Sequence, residues 1–308
     1  MKTLVVATAA LMATTGLAAA EVAVSGDGRL GVTYNGADLN FASRIRVAFD
    51  LSGQTDGGLT FGGSFRADNA PGAANGSDGS IFIEGAFGRL EMGNTVGAAE
   101  AVIGDLPEVG FTDISDLDND VTFITGDETL TGPNNPVALY TYTSGGLTFA
   151  LSMNDGIVGN GSVQDSQEYA LGAKYEFGDY ALALGYEVSD PPGGPSAKHL
   201  ILGATANVET TTLQLVYGEG SGAIKGFRQI GFGVSGQVSD VTINAYVRDL
   251  KVDAGSNAET QGGMTAGSTR LWGVGAEYEL GGGASVAGGV AQIKGAKARA
   301  DLGIKFSF

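Results

Sequence analysis

Between Asn94 and Asn135 the chain carries nine carboxylates and no lysine or arginine: Glu100, Asp105, Glu108, Asp113, Asp116, Asp118, Asp120, Asp127 and Glu128. Upstream, Arg29, Arg44, Arg46 and Arg66 share the polar parity of segments that alternate apolar and polar residues. Neighbouring guanidiniums repel unless anions oppose them, and the acidic stretch is the obvious supply. The chemistry on offer is not bond-making. Carboxylates facing arginines across water create a transverse field that tunes which ions and hydrated solutes pass. A plainer expectation is that each arginine pairs with a carboxylate on a neighbouring strand, such as Asp27 or Asp50, and the two are compatible.

Within the acidic stretch, Asp116, Asp118 and Asp120 offer oxygen donors at alternating positions, the hard-ligand chemistry that calcium prefers. The run is not an EF-hand, because Val121 occupies the sixth position, where that loop needs glycine. Other chemistries are poorly supplied. With no cysteine and one histidine, the chain has no disulfides, thiol nucleophile or Cys-ligated metal, and little for an acid–base relay. His199, which opens a strand after the loop Pro191-Pro192-Gly193-Gly194-Pro195, reads as a rim residue rather than a catalyst. Gly26-x-Gly28-x-x-Gly31 matches a dinucleotide fingerprint in form only, since no helix follows and the glycines alternate within a strand. A net charge of -17 argues against nucleic acid as a partner, because phosphate-backbone binding needs a basic surface.

The elements that must position these residues are strands. Residues 1–20 form a charged start, an apolar run and a terminal Ala18-Ala19-Ala20, the pattern of a cleavable secretory signal. Its removal leaves 16 basic and 34 acidic residues, a net charge of −18, on a mature chain of residues 21–308. Beyond it no apolar run approaches the roughly 18 residues that a transmembrane helix needs. Instead the chain alternates with period two, as in Val22, Val24, Leu30 and Val32, in Ile45, Val47, Phe49 and Leu51, and in Tyr180, Leu182, Leu184 and Tyr186. Tight links such as Ser144-Gly145-Gly146, Gly178-Asp179 and Ser239-Asp240 alternate with long polar ones, the rhythm of an antiparallel meander of about sixteen strands.

A soluble sandwich also alternates, so a secreted β-sandwich adhesin is one alternative. The signal, the short and long links on opposite rims, and aromatic residues at strand ends (Tyr175, Phe177, Tyr180, Trp272) favour an all-β, closed antiparallel transmembrane barrel. Closure is required because an open edge in lipid leaves backbone groups unsatisfied, and the alternating end, Arg299 to Phe308, can pair with the first strand. Apolar residues spaced through the acidic stretch (Ile103, Leu106, Val109, Phe111, Ile114, Leu117, Phe123, Ile124) argue for packing rather than a solvated, mobile loop. Outward glycines at 26, 28, 63 and 85 predict a flat face suited to protein contact.

Colinear with these features are Glu21-Val22-Ala23-Val24-Ser25-Gly26-Asp27-Gly28-Arg29, Ser43-Arg44-Ile45-Arg46, Gly85-Ala86-Phe87-Gly88-Arg89-Leu90-Glu91-Met92-Gly93, Glu108-Val109-Gly110-Phe111-Thr112-Asp113 and the terminal Phe308. Together they resemble the general diffusion porins of Rhodobacter-type alphaproteobacteria over essentially the whole mature chain. The resemblance implies an outer-membrane barrel of sixteen strands that assembles as a homotrimer among lipid and lipopolysaccharide. It also implies a third external loop, about residues 94–135, folded inward as a constriction, with calcium held near it. The expected function is passive passage of small hydrophilic solutes and ions, with no required cofactor. A solute-selective channel of the same fold is the first alternative, and an outer-membrane barrel enzyme the alternative of a different class. The acidic total favours weak cation preference, which the arginines oppose.

Overall fold

The computed structural model describes residues 20–69, 77–112, 114, 121–126, 137–158, 163–164, 166–261 and 263–308. Of the proposed leader, residues 1–20, all but Ala20 lie outside them. The chain begins with β1 (Glu21–Tyr34), β2 (Leu39–Gln54), β3 (Thr60–Asn69), β4 (Ser77–Gly85) and β5 (Gly88–Gly93), followed by the short helix α1 (Ala98–Ile103). It continues through β6 (Val137–Ser144), β7 (Leu147–Asn154), the two-residue strands β8 (Ile157–Val158) and β9 (Val163–Gln164), β10 (Gln167–Phe177), β11 (Tyr180–Asp190) and β12 (Ala197–Val208). Next come β13 (Thr211–Gly222), β14 (Phe227–Val238), β15 (Val241–Val252), the helical turn α2 (Asn257–Thr260), β16 (Gly267–Gly281), β17 (Ala284–Ile293) and β18 (Arg299–Ser307).

All strands but β8 and β9 pair antiparallel with their neighbours and close into one barrel, while those two form a small separate ribbon. The barrel therefore has the sixteen strands expected from the periodicity. Closure is made by the first and last strands, in register from Asp27 opposite Ser307 to Tyr34 opposite Ala300. Gly26 and Phe308 exchange both backbone bonds, at 3.1 and 2.8 Å. No described helix is long and apolar enough to cross a membrane. Two of the tight links place Glu209 and Ser239 at φ 54° and 56°, the left-handed geometry that tight hairpins require.

The alternation sorts the two faces. Large apolar residues such as Leu171, Leu182 and Leu202 point outward and are 55, 56 and 45% exposed. A water-soluble protein does not leave so continuous an apolar band uncovered; a bilayer covers it. At the rim of short turns Tyr175 stacks on Phe177 and Phe177 on Tyr180, each at 5.8 Å, as interfacial aromatics do. The dinucleotide-like glycines lie inside β1, with no helix behind them.

One expectation changes. Gly26 and Gly28 are not bare: a Cβ on either would meet the Phe308 ring at 3.3 or 3.5 Å, and one on Gly85 would meet Leu59 and Phe87. Gly63, whose near neighbours are the backbone of Ser80 and Ile81, keeps the flat surface expected of all four.

Candidate functional site: the lumen and its infolded loop

The link between β5 and β6 is the third on the rim of long links, and its described residues run along the inner wall. α1 lies against β7, β10, β11 and β12. The chain then follows the wall from strand to strand, seated on inward glycines. A Cβ on Gly185 would come within 2.6 Å of Ala99, one on Gly231 within 2.8 Å of Leu106, and one on Gly289 within 2.6 Å of Val109. Added to Gly303 or Gly31, it would come within 2.6 or 2.7 Å of Phe111. A Cβ on Gly172 would run into the Ala98 carbonyl. Each glycine leaves a slot into which one loop residue fits, so the apolar loop residues fill a wall that bulkier side chains would hold away.

This packing forms most of the buried core. Ala99, Leu106, Val109, Val121 and Phe123 cluster with the wall residues Ile201, Val216, Tyr246 and Leu271, while Ala98 and Val102 pack on Leu139, Ala150 and Ala170. Phe111 and Ile124 are also buried, Ile103 is partly so, and Leu117 lies outside the described residues. Burying a leucine or phenylalanine side chain stabilises by about 1.5–3 kcal/mol, enough that these residues together hold a segment with little regular structure.

Polar wall side chains then pin the loop backbone. On the outgoing limb Ser152 accepts the Ala98 amide at 2.8 Å, and the Gln214 and Asn244 side-chain amides donate to the carbonyls of Asp105 and Glu108 at 3.2 and 2.8 Å. Asp301 takes the amide and hydroxyl of Thr112. On the returning limb, residues 121–126, Glu187 accepts the amides of Ile124 and Thr125, both at 3.1 Å, and Glu168 accepts that of Gly126 at 3.2 Å. Gln229 holds both backbone groups of Thr122. His199 is correspondingly 0% exposed beneath this limb, not at an open rim, because the loop folds over the wall where the residue stands.

The acidic candidates divide. Asp105 spends a carboxylate oxygen on the Val121 amide at 2.7 Å and so ties the two limbs together. Glu100 is half-buried on α1, and Glu108 is exposed. Asp113, Asp116, Asp118, Asp120, Asp127 and Glu128 lie outside the described residues, and with them the three suggested calcium ligands.

The arginines are placed on adjoining strands. Arg29 is opposite Arg44 in one register and opposite Lys305 in the other, which sets three cations in a row across β18, β1 and β2. Arg46 follows one step along on β2, and Arg66 stands on β3 opposite Ala48. Arg44 pairs with Asp27 at 2.8 Å, the neighbouring-strand pairing expected, while Arg29 reaches the Phe111 carbonyl at 3.5 Å and so meets the loop. Lys305, itself paired with Glu277 at 2.8 Å, was not singled out in the sequence, although it shares the parity of Arg299 and Asp301. Arg89 is a further inward cation, paired with Glu91 at 2.8 Å and lying over the Phe82 ring at 3.6 Å.

A closed barrel with an apolar outer band, a polar inner wall and a loop laid along that wall defines a membrane-spanning channel. Residues 7–298 match the family model of Gram-negative porins. The chain is 44% identical to a porin of Rhodobacter capsulatus over 94% of its length and all of that protein. A porin structure refined at 1.8 Å superposes with a TM-score of 0.80 at 39% identity, again over 94% of this chain and all of that one. A mutant of the Rh. blastica porin shares the fold at 21% identity, with a TM-score of 0.71 over 94% of this chain and 100% of its own. The chain belongs to the Gram-negative porin family. It forms an outer-membrane pore through which small hydrophilic solutes and ions diffuse.

Proposed function

We propose that the loop of residues 94–136 sets the aperture of this pore, with its carboxylates opposed by Arg29, Arg44, Arg46 and Arg66. The observation that carries this reading is the course of the described limbs, which lie along the wall from β7 round to β18 and reach Arg29 on β1 through Phe111. Arg44 and Arg46 stand on β2 and Arg66 on β3, the strands that follow β1 round the barrel. Solutes pass between the loop and that cationic wall, where opposed charges favour hydrated polar molecules and make apolar ones lose ordered water. Selectivity is non-specific, cation preference is weak, and passage requires no catalysis and no cofactor.

In this reading the chain is exported by a signal cleaved after Ala20 and works as a homotrimer among outer-membrane lipid and lipopolysaccharide. The outward hollow over Gly63, bordered by Val22, Leu51, Phe61, Phe65 and Ile81, supports a subunit contact on β1–β4. Calcium bound by Asp116, Asp118 and Asp120 would relieve the crowding of like charge in the loop.

Polymer exclusion in planar bilayers tests the aperture. Small neutral polymers should enter and lower the conductance, and the cut-off should rise when Ser152→Ala and Asp301→Ala together loosen the outgoing limb. An unchanged cut-off would place the constriction elsewhere.

A further inference from the structure

The chain's single histidine is fully buried in a barrel wall, beside a carboxylate that is also fully buried. A diffusion pore does not need such a pair in its wall, and the hydrogen bonds around it admit one arrangement of protons. The Thr122 amide donates to Gln229 Oε1 at 3.0 Å, and Gln229 Nε2 donates to the Thr122 carbonyl at 2.8 Å. This two-point clamp fixes which end of the Gln229 amide is oxygen. Arg248 agrees with it, since its Nη2 donates to both Gln229 Oε1 and the Thr122 hydroxyl.

The remaining proton on Gln229 Nε2 is directed at His199 Nε2, 3.3 Å away, so that ring nitrogen must accept. The ring proton is therefore on Nδ1, which donates to Glu187 Oε2 at 2.8 Å. The other oxygen of Glu187 accepts the Ile124 amide, the Thr125 amide and the Thr125 hydroxyl. Every polar atom of the triad is thereby used in one consistent pattern, in which Glu187 Oε1 and both ends of the Gln229 amide hold residues 122–125 of the loop.

A second proton on the ring breaks the pattern. Nε2–H and the Gln229 amide would then be two donors facing each other in a dry site, where an unmade hydrogen bond costs about 1–3 kcal/mol. Turning the Gln229 amide over does not help, because it sets donor against donor and acceptor against acceptor at Thr122. Among the described residues, the groups shown facing the ring leave no other acceptor. From β11 there is Glu187, already bonded; from β14, Gln229 and the Phe227 ring at 5.8 Å; from β13, the backbone of Gly218; and from β15, the cation Arg248 through Gln229. Glu168 on β10 is engaged by Gly126. Lys198 and Glu219 are exposed on the opposite parity.

We propose that His199 is a positioning residue for the pore: neutral and protonated on Nδ1, it holds Gln229 in the orientation that clamps Thr122, and acid releases residues 121–126 from the wall. The proposal rests on the reading of residues 94–136 as the constriction.

Because there is one histidine, isotope labelling of that residue type in the detergent-folded protein reports on this ring alone. Near neutral pH the spectrum should show Nδ1 protonated and Nε2 bare; the opposite tautomer, or a ring already cationic, overturns the assignment. In bilayers, open-channel conductance followed from about pH 8 to about pH 4 should include a step that coincides with the change in the ring's spectrum. His199→Gln should lose that step. Gln229→Glu, which offers an acceptor to Nε2–H, should alter that step, and this second variant decides the matter if the first does not fold. An identical step in His199→Gln overturns the proposal. The predicted tautomer with a conductance indifferent to pH overturns the release while leaving the aperture reading intact. A conductance indifferent to every loop-anchoring variant removes both.

Discussion

Asp301 on β18 holds Thr112, 189 residues earlier in the chain, through a single carboxylate oxygen that accepts the threonine amide at 2.7 Å and its hydroxyl at 2.6 Å. Its other oxygen takes the Gly289 amide at 3.0 Å, so the carboxylate is itself fixed by the wall. The far end of the outgoing limb is thus tied to the last strand of the barrel, beside the row formed by Lys305, Arg29 and Arg44.

Asp301→Ala removes the two bonds from the limb to a charged acceptor, together with one from Gly289 in the wall, and should weaken docking of the limb by on the order of 3 kcal/mol. Limited proteolysis of the folded barrel should then cut within residues 94–136 in the variant and spare them in the parent. Asp301→Asn, which keeps one acceptor oxygen, should fall between. Equal resistance in all three would mean that the glycine-seated packing holds the limb alone.

The glycine seats give the complementary prediction. Gly185→Val and Gly289→Val each put atoms where Ala99 or Val109 now lies, and should push the limb toward the lumen axis. Single-channel conductance should drop while the barrel still folds. Gly57→Ala, whose added Cβ would meet only the Thr55 hydroxyl oxygen at 3.9 Å, should leave it unchanged.

The barrel was legible because its period-two pattern is local. Each strand declares its two faces by parity, and the links declare the rims through residues such as Gly145, Gly178 and Ser239. The long acidic link was legible as a packed loop from its spaced apolar residues. Its anchors were not. Glu187, His199, Gln229 and Asp301 sit on four different strands, and which loop residue each one holds is decided only by the loop's path along the wall. In the sequence each is one more polar residue on a polar face. The seats were hidden for a related reason, since an inward glycine that receives a loop and an outward one that receives Phe308 look alike until the register is known.

Replacing Arg44 and Arg46 by alanine should raise cation preference, seen as a shift of reversal potential under a salt gradient. Stability should change little, because the Arg44–Asp27 pair is only partly buried and pairs near the surface contribute about 0–1 kcal/mol. A reversal potential equal to that of the parent would remove these two residues from the selective region.

Calcium has its own test. If Asp116, Asp118 and Asp120 hold the ion, chelation should lower the thermal stability of the folded protein, and added calcium should restore it. Unchanged stability and conductance after chelation would leave the loop carboxylates unliganded.

The central claim, a water-filled pore narrowed by an acidic loop facing arginines, is tested most directly by single-channel recording of the detergent-purified protein in a planar bilayer. The account predicts large conductance that does not saturate with salt, in groups of three equal steps, and a reversal potential showing weak cation preference. Folded, heat-modifiable protein that conducts no ions would contradict it.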